Sequence, residues 1–235
     1  MLKAFLFDMD GVLFDSMKNH AEAWYQTMGE HYNFTCDRTL FYMYEGSTGA
    51  QTIDALFVEQ RGRHATHDEI ERMYGEKAQC FVQLGPADPM PGADEVIRKV
   101  MANGFSRVLV TGSSQTTLID RLRRTYPGAF DHEHIVWGKD CPIGHGKPHP
   151  DPYLMGLKKA GNLQPNEAIV VENAPMGVQA GKAAGIFTIG VNTGPLDPSI
   201  LKNAGADIVL GSMQELAERF DEIVALQQSH MAHRT

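Results

Sequence analysis

Short, nearly continuous apolar runs separated by helical stretches recur along this chain, and that alternation constrains its fold more than any other feature. The runs are KAFLFD (3–8), RVLV (107–110), AIVV (168–171), IFTIGV (186–191) and DIVL (207–210). Apolar residues at consecutive positions suit strands buried on both faces. Between the later runs lie helical stretches at 93–103, 116–126, 151–161 and 176–185, with Gly104 and Gly185 where helix C-caps are expected. Strand and helix in alternation imply crossover connections. The expected core is therefore α/β, a Rossmann-like doubly wound parallel sheet with helices on both faces.

Residues 16–88 break this rhythm. They carry helical patterns at 18–30, 49–60 and 66–84 but no comparable strand run. Met17, Ala21, Trp24, Tyr25 and Met28 fall on one face at helical spacing. The stretch is expected to form a small helical cap inserted after the first strand, with residues 1–15 and 89–235 as the core. PADPMPG (86–92) is its exit and a natural hinge.

Composition excludes several partners. The 235 residues carry a formal net charge of −8, a poor match for bare nucleic acid or an anionic membrane. Cys36, Cys80 and Cys141 are odd in number and far apart, as expected of free thiols in a reducing compartment. The apolar run at the N-terminus is short and interrupted by aspartates, and no stretch approaches the ~20 apolar residues of a membrane span. A cytoplasmic protein, monomeric, with a small-molecule substrate is expected, and the last residues, SHMAHRT, read as a frayed tail.

Ligands of an open parallel sheet bind beyond the carboxyl ends of its strands. Those ends carry Asp8-Met9-Asp10-Gly11, Thr111-Gly112-Ser113 and Glu172-Asn173, while Lys147 lies in the loop GHGKPHPD. Taken singly, a DxD is ordinarily a turn, a Ser or Thr an N-cap, and a lysine a solvated side chain. Together and in order at strand ends they make chemical sense for phosphoryl transfer. Asp8 can attack phosphorus and form an aspartyl-phosphate, and Asp10 can serve as acid and then base. Thr111, Gly112 and Ser113 offer donors to phosphoryl oxygens, and Lys147 would neutralise their charge. Oxygen ligands around Asp8 suit Mg2+.

DMDGVLFDS, VTGSS, GKPHPDPYL and VVENAPMGV resemble, in order, the four motifs of the haloacid-dehalogenase-like phosphotransferases. A cap between the first two resembles the β-phosphoglucomutase-like branch. The resemblance implies Asp8 as nucleophile, Asp10 as acid/base, Thr111 as phosphate-binding hydroxyl and Lys147 as charge stabiliser. It also implies Mg2+ held by Asp8, the Asp10 carbonyl and Asn173, with Glu172 supporting them from behind. Asp10 argues against dehalogenase chemistry.

His20 and Trp24 match the mutase pattern; His20 is either half-buried packing or a substrate-facing proton relay. Mutases carry a basic cap loop where this chain has YEGSTGA, so Glu45 and Gly49 replace cations there. That loop, and Asn173 where the branch usually has Asp, are similar to a Bacteroides-type group that hydrolyses inorganic pyrophosphate. The expected activity is hydrolysis of a small phosphate compound, pyrophosphate first, with Glu45 reaching the metal site. The alternative is a β-phosphoglucomutase interconverting β-glucose 1-phosphate and glucose 6-phosphate. A receiver-like phosphoacceptor would be roughly half this length and lack a cap.

Overall fold

The structure is a computed structural model describing residues 1–112, 117–142 and 144–232. In chain order its elements are β1 (Ala4–Phe7), α1 (Met17–Trp24) continued by a π-helix (Tyr25–His31), α2 (Arg38–Met43), α3 (Gly49–Arg61) and α4 (His67–Gln83). Then come α5 (Ala93–Ala102), β2 (Ser106–Thr111), α6 (Thr117–Thr125), β3 (Ile135–Trp137), α7 (Asp151–Lys159) and β4 (Ala168–Glu172). The chain continues through α8 (Pro175–Ala183), β5 (Phe187–Val191), α9 (Pro198–Asn203), β6 (Ile208–Leu210), α10 (Met213–Glu218) and α11 (Phe220–Ala232).

The strands form one parallel sheet in the order β3-β2-β1-β4-β5-β6. This is the doubly wound order expected, with the chain reversing its direction of travel across the sheet beside β1. The sequence pattern predicts five strands and misses β3. That strand is only three residues long, like β6, but lies between single 3-10 turns at His132–His134 and Gly138–Asp140 rather than between helices that would frame its run.

Both faces of the sheet are covered. Phe5 and Phe7 of β1 enter one apolar cluster with α5, α6, α10 and α11; Ala4 and Leu6 enter another with α7 and α8. Fully burying a Phe or Leu contributes about 1.5–3 kcal/mol, so neither face tolerates polar alternation. The continuous apolar runs follow from that.

The helices between Met17 and Gln83 have an apolar cluster of their own: Ala21, Trp24, Met28, Phe41, Ile53, Leu56, Phe57 and Met73. α3 and α4 each begin with a capping box, Thr48 with Gln51 and Thr66 with Glu69. α2 is absent from the sequence-based expectation. Six residues are too few to show periodicity, and it starts at Asp37, whose carboxylate accepts from the Leu40 N–H at 2.8 Å. The two chain segments joining these helices to the sheet run side by side: the Asp15 N–H donates to the Asp88 carbonyl and the Met90 N–H to the Leu13 carbonyl, each at 2.9 Å. The expected tail is partly helix, since α11 continues through Ala232. Among the described residues no helix is long and apolar enough to cross a membrane.

Candidate active site

Asp8 follows β1 directly and extends its ladder, its N–H donating to the Val171 carbonyl at 3.0 Å. Because β1 lies between β2 and β4, Asp8 is flanked by the ends of those strands, Thr111 on one side and Glu172 on the other. All three are buried. Lys147 enters from the loop before α7 and is itself only 1 % exposed. Its ammonium donates to Asp8 Oδ1 at 2.5 Å, Glu172 Oε1 at 2.6 Å and the Val110 carbonyl at 3.0 Å. Three protons meet three acceptors, so the buried charge is fully satisfied. The Tyr153 hydroxyl also donates to Glu172 Oε1, at 2.5 Å.

Two buried oxygens beside this network, Asp8 Oδ2 and Asn173 Oδ1, have no hydrogen-bond partner among the described residues. A buried acceptor left unpaired is costly, and each such oxygen calls for an explanation. Gly11, at φ +84°, lies against Asn173: a Cβ there would come within 2.0 Å of the Asn173 amide nitrogen. Only glycine accepts both that backbone and that approach.

Asp10 Oδ1 accepts from Ser16 Oγ at 2.5 Å and lies 3.2 Å from His20 Nε2. His20 Nδ1 in turn is 2.7 Å from the Lys77 ammonium, and its ring stacks on Phe81 at 4.1 Å between centroids. One face of the His20 ring packs, as the packing reading expects, and its two nitrogens lie between Lys77 and Asp10. Glu45 lines the same small cavity, about 50 Å3, with Asp10, His20, Lys77, Tyr74 and Gly112. The loop carrying Glu45 is seated on the sheet's end. A Cβ on Gly112 would lie 3.0 Å from the Gly46 carbonyl oxygen, and one on Gly46 would lie 3.0 Å from Lys147 Cδ. The helices over the site are closed onto it.

Electrostatics follow from this crowding. Burial pushes the Asp8 carboxyl up to about 8, with Glu172 and Asp10 adding repulsion that Lys147 only partly offsets. Burial also opposes ionisation of Asp10, but His20, Ser16 and Lys77 outweigh it and hold its carboxyl below the ordinary value. Glu45 is raised well above the usual carboxylate range, first by desolvation and then by Asp10 and Asp8. Desolvation and the neighbouring Lys77 lower the His20 pKa. When Asp8, Asp10, Glu45 and Glu172 are all ionised, four carboxylates face the two ammonium groups of Lys77 and Lys147. The excess equals the charge of one divalent cation.

Lys77 was not anticipated by the sequence reading. It sits four residues beyond Met73 on the inward face of α4 and is only 4 % exposed. A lysine in register with apolar residues was the available signal. Desolvation lowers its pKa from 10.5 to about 8, against the pull of Asp10 and Glu45. The unfolded chain therefore holds the Lys77 proton more tightly than the folded one between those values. Stability rises with pH across that window and the full penalty applies below about 8. Lys77→Met should accordingly raise the urea midpoint at pH 7, and the gain should shrink as pH approaches 10. An equal or lower midpoint at pH 7 would contradict this account.

The structure brings together Asp8, Asp10, Thr111, Gly112, Lys147, Glu172, Asn173, His20 and Glu45; Ser113 lies outside the described residues. A family model of haloacid dehalogenase-like hydrolases matches residues 2–185. The chain is 32% identical over 233 residues to the mitochondrial (DL)-glycerol-3-phosphatase 1 of Arabidopsis thaliana, covering 96% of this chain and 75% of that one. Hexitol phosphatase A of Escherichia coli is 31% identical over 214 residues, covering 91% and 93%. A solved structure from Bacteroides vulgatus, described as a candidate β-phosphoglucomutase, superposes with a TM-score of 0.90 at 48% identity, covering 95% of this chain and 89% of that one. Motif order, sheet topology and these similarities agree: the chain belongs to the haloacid dehalogenase-like hydrolase family, in its β-phosphoglucomutase-like branch.

Proposed function

We propose that the protein is a Mg2+-dependent phosphohydrolase that passes a phosphoryl group through Asp8. The observation that carries this reading is the buried cluster at the end of β1, in which Asp8 and Lys147 meet beside two unpartnered oxygens. Asp8 Oδ2 and Asn173 Oδ1 are hard oxygen donors suited to Mg2+, together with the Asp10 carbonyl. Glu172, held by Lys147 and Tyr153, supports them from behind. When bound, the ion would supply positive charge against the phosphoryl oxygens and the surrounding carboxylates.

The chain's own residues then divide the reaction. An Asp8 oxygen, ionised once a cation offsets the neighbouring carboxylates, attacks phosphorus as the bond to the leaving oxygen breaks, and Asp10 in its protonated form gives that oxygen its proton. Asp10 next takes a proton from the water that cleaves the aspartyl-phosphate, which returns Asp8 free. Lys147, Thr111 and the Gly112 backbone hold the phosphoryl oxygens. His20 and Ser16 fix the direction of Asp10. The substrate is a small phosphate compound and the protein a cytoplasmic monomer.

Similarity and local geometry weigh differently on which compound. The relatives' names favour a phosphorylated carbohydrate, and they support β-phosphoglucomutase better than pyrophosphate hydrolysis. Pyrophosphate rests on one local observation: Glu45, a carboxylate, faces the cavity of about 50 Å3 beside Asp10, whereas the adjoining cavity of about 500 Å3, which shares Gly49, Tyr74 and Gly112, leaves room for a larger group. Glu45 repels a second phosphate dianion unless a cation lies between them. If it takes part in the metal site, Glu45→Ala should raise the Mg2+ concentration for half-maximal activity, and Asn173→Asp should restore it in part. In the same assays pyrophosphate should exceed hexose phosphates in kcat/KM. Interconversion of β-glucose 1-phosphate and glucose 6-phosphate without pyrophosphate cleavage would assign the chain to the mutases instead.

A further inference from the structure

The loop that presents Lys147 has an outer face with its own chemistry. Within GHGKPHPD the Lys147 side chain points inward and is buried, while His145 and His149 on either side of it lie outward. Their side chains are 46% and 41% exposed, and both turn to a single carboxylate, Asp151, which is 29% exposed. His145 Nδ1 lies 2.6 Å from Asp151 Oδ2, and His149 Nδ1 lies 3.3 Å from Asp151 Oδ1. The two imidazole rings are 4.2 Å apart between centroids. One ligand atom from each of the three residues falls within 4.8 Å of the others.

We propose that His145, His149 and Asp151 form a second cation site, for a divalent transition ion of the Zn2+ class, on the outer face of the Lys147 loop. Two imidazole nitrogens and a carboxylate oxygen are a Zn2+ donor set and a poor Mg2+ one. Bonds of about 2.0–2.2 Å in a tetrahedron place ligand atoms roughly 3.3 Å apart, so a small inward movement closes the site. Solvent exposure leaves the fourth position to water.

A carboxylate in the first turn of α7 is favourable on its own. That accounts for Asp151 but not for two imidazoles converging on it. The Asp151 N–H also approaches His149 Nδ1 at 3.4 Å, a contact that nitrogen accepts only when it carries no proton. In that tautomer its lone pair faces Asp151 Oδ1 at 3.3 Å, an arrangement a cation between them would relieve. Elsewhere histidines meet carboxylates singly, as His64 does Asp54 and His134 does Asp131.

An ion here would join the two ends of the segment that places Lys147 and restrict its movement. The site is independent of the chemistry assigned to Asp8, and its test does not use turnover. With excess Mg2+ present, equilibrium dialysis of the full chain should find one tightly held equivalent of Zn2+. Co2+ in its place should give the visible bands of a four-coordinate ion. Both signals should persist in Asp8→Asn, which separates this site from the one at β1. Loss of a ligand's outer partner alone weakens metal sites by about 10- to 100-fold, so His145→Ala/His149→Ala should exceed that and Asp151→Asn should weaken binding as well.

Both rings are half-exposed, so the double variant should fold; His145→Gln/His149→Gln provides a second version with a smaller change in packing. Circular dichroism checks both. Imidazole 15N resonances of His145 and His149 should shift on Zn2+ addition in the wild-type protein. Absence of bound Zn2+, equal binding by wild type and double variant, or loss of binding in Asp8→Asn alone would overturn the proposal.

Discussion

A folded Asp8→Asn protein should release no phosphate above background from any substrate the wild type cleaves. The exchange keeps the volume and an acceptor for Lys147 but removes the oxygen nucleophile on which the proposed two-step reaction depends. It should also leave the protein no less stable at pH 7. Asp8 titrates near 8 in the folded state against 3.8 for a free side chain, so the folded chain binds the proton more tightly. Stability is therefore lost as pH rises from about 3.8 through about 8, and a neutral isostere avoids that loss. Phosphate release and a urea midpoint measured on the same preparation check both halves. Steady release by the folded variant would rule out the covalent route.

Asp10→Asn should lower turnover by about 10²–10⁴-fold, the usual contribution of a positioned acid and base. The loss should depend on the leaving group. An alkoxide or phosphate needs the proton from Asp10, whereas p-nitrophenolate leaves without it. With p-nitrophenyl phosphate the variant should therefore show a burst of p-nitrophenol followed by slow turnover, because the second step still lacks its base. An equal defect in the first step for good and poor leaving groups would place Asp10's contribution elsewhere. Ser16 and His20 hold this carboxylate from one side, so their loss should produce weaker versions of the same pattern.

Much of this site is legible in the chain because the fold sorts polar residues by position. A strand buried on both faces cannot keep a carboxylate within its length, so the first polar residue after KAFLF marks the strand's end. In a parallel sheet all such ends share one edge. Asp8, Thr111, Glu172 and Asn173 could thus be assigned to one place before any coordinates, as could the helical character of 16–88. α2 escaped because six residues carry few repeats of a pattern, β3 because only short turns frame it, and side-chain spacing does not separate the π-helical turns at Tyr25–His31 from the α-helix they continue.

What the sequence alone determined about this protein is the layered α/β core, the edge of the sheet where the candidate site lies and the residue types gathered there. Those follow from periodicity and from burial, which act along the chain. The tertiary structure alone decided the partners across it. Tyr153 on Glu172, Lys77 on His20 and the Glu45 loop closed over Gly112 join residues 19, 57 and more than 60 positions apart. Local pattern holds no information about such pairs. Whether a buried carboxylate is protonated, paired or open to a cation depends on which charges stand within a few ångströms, and only the packing of the helices over the sheet sets that distance.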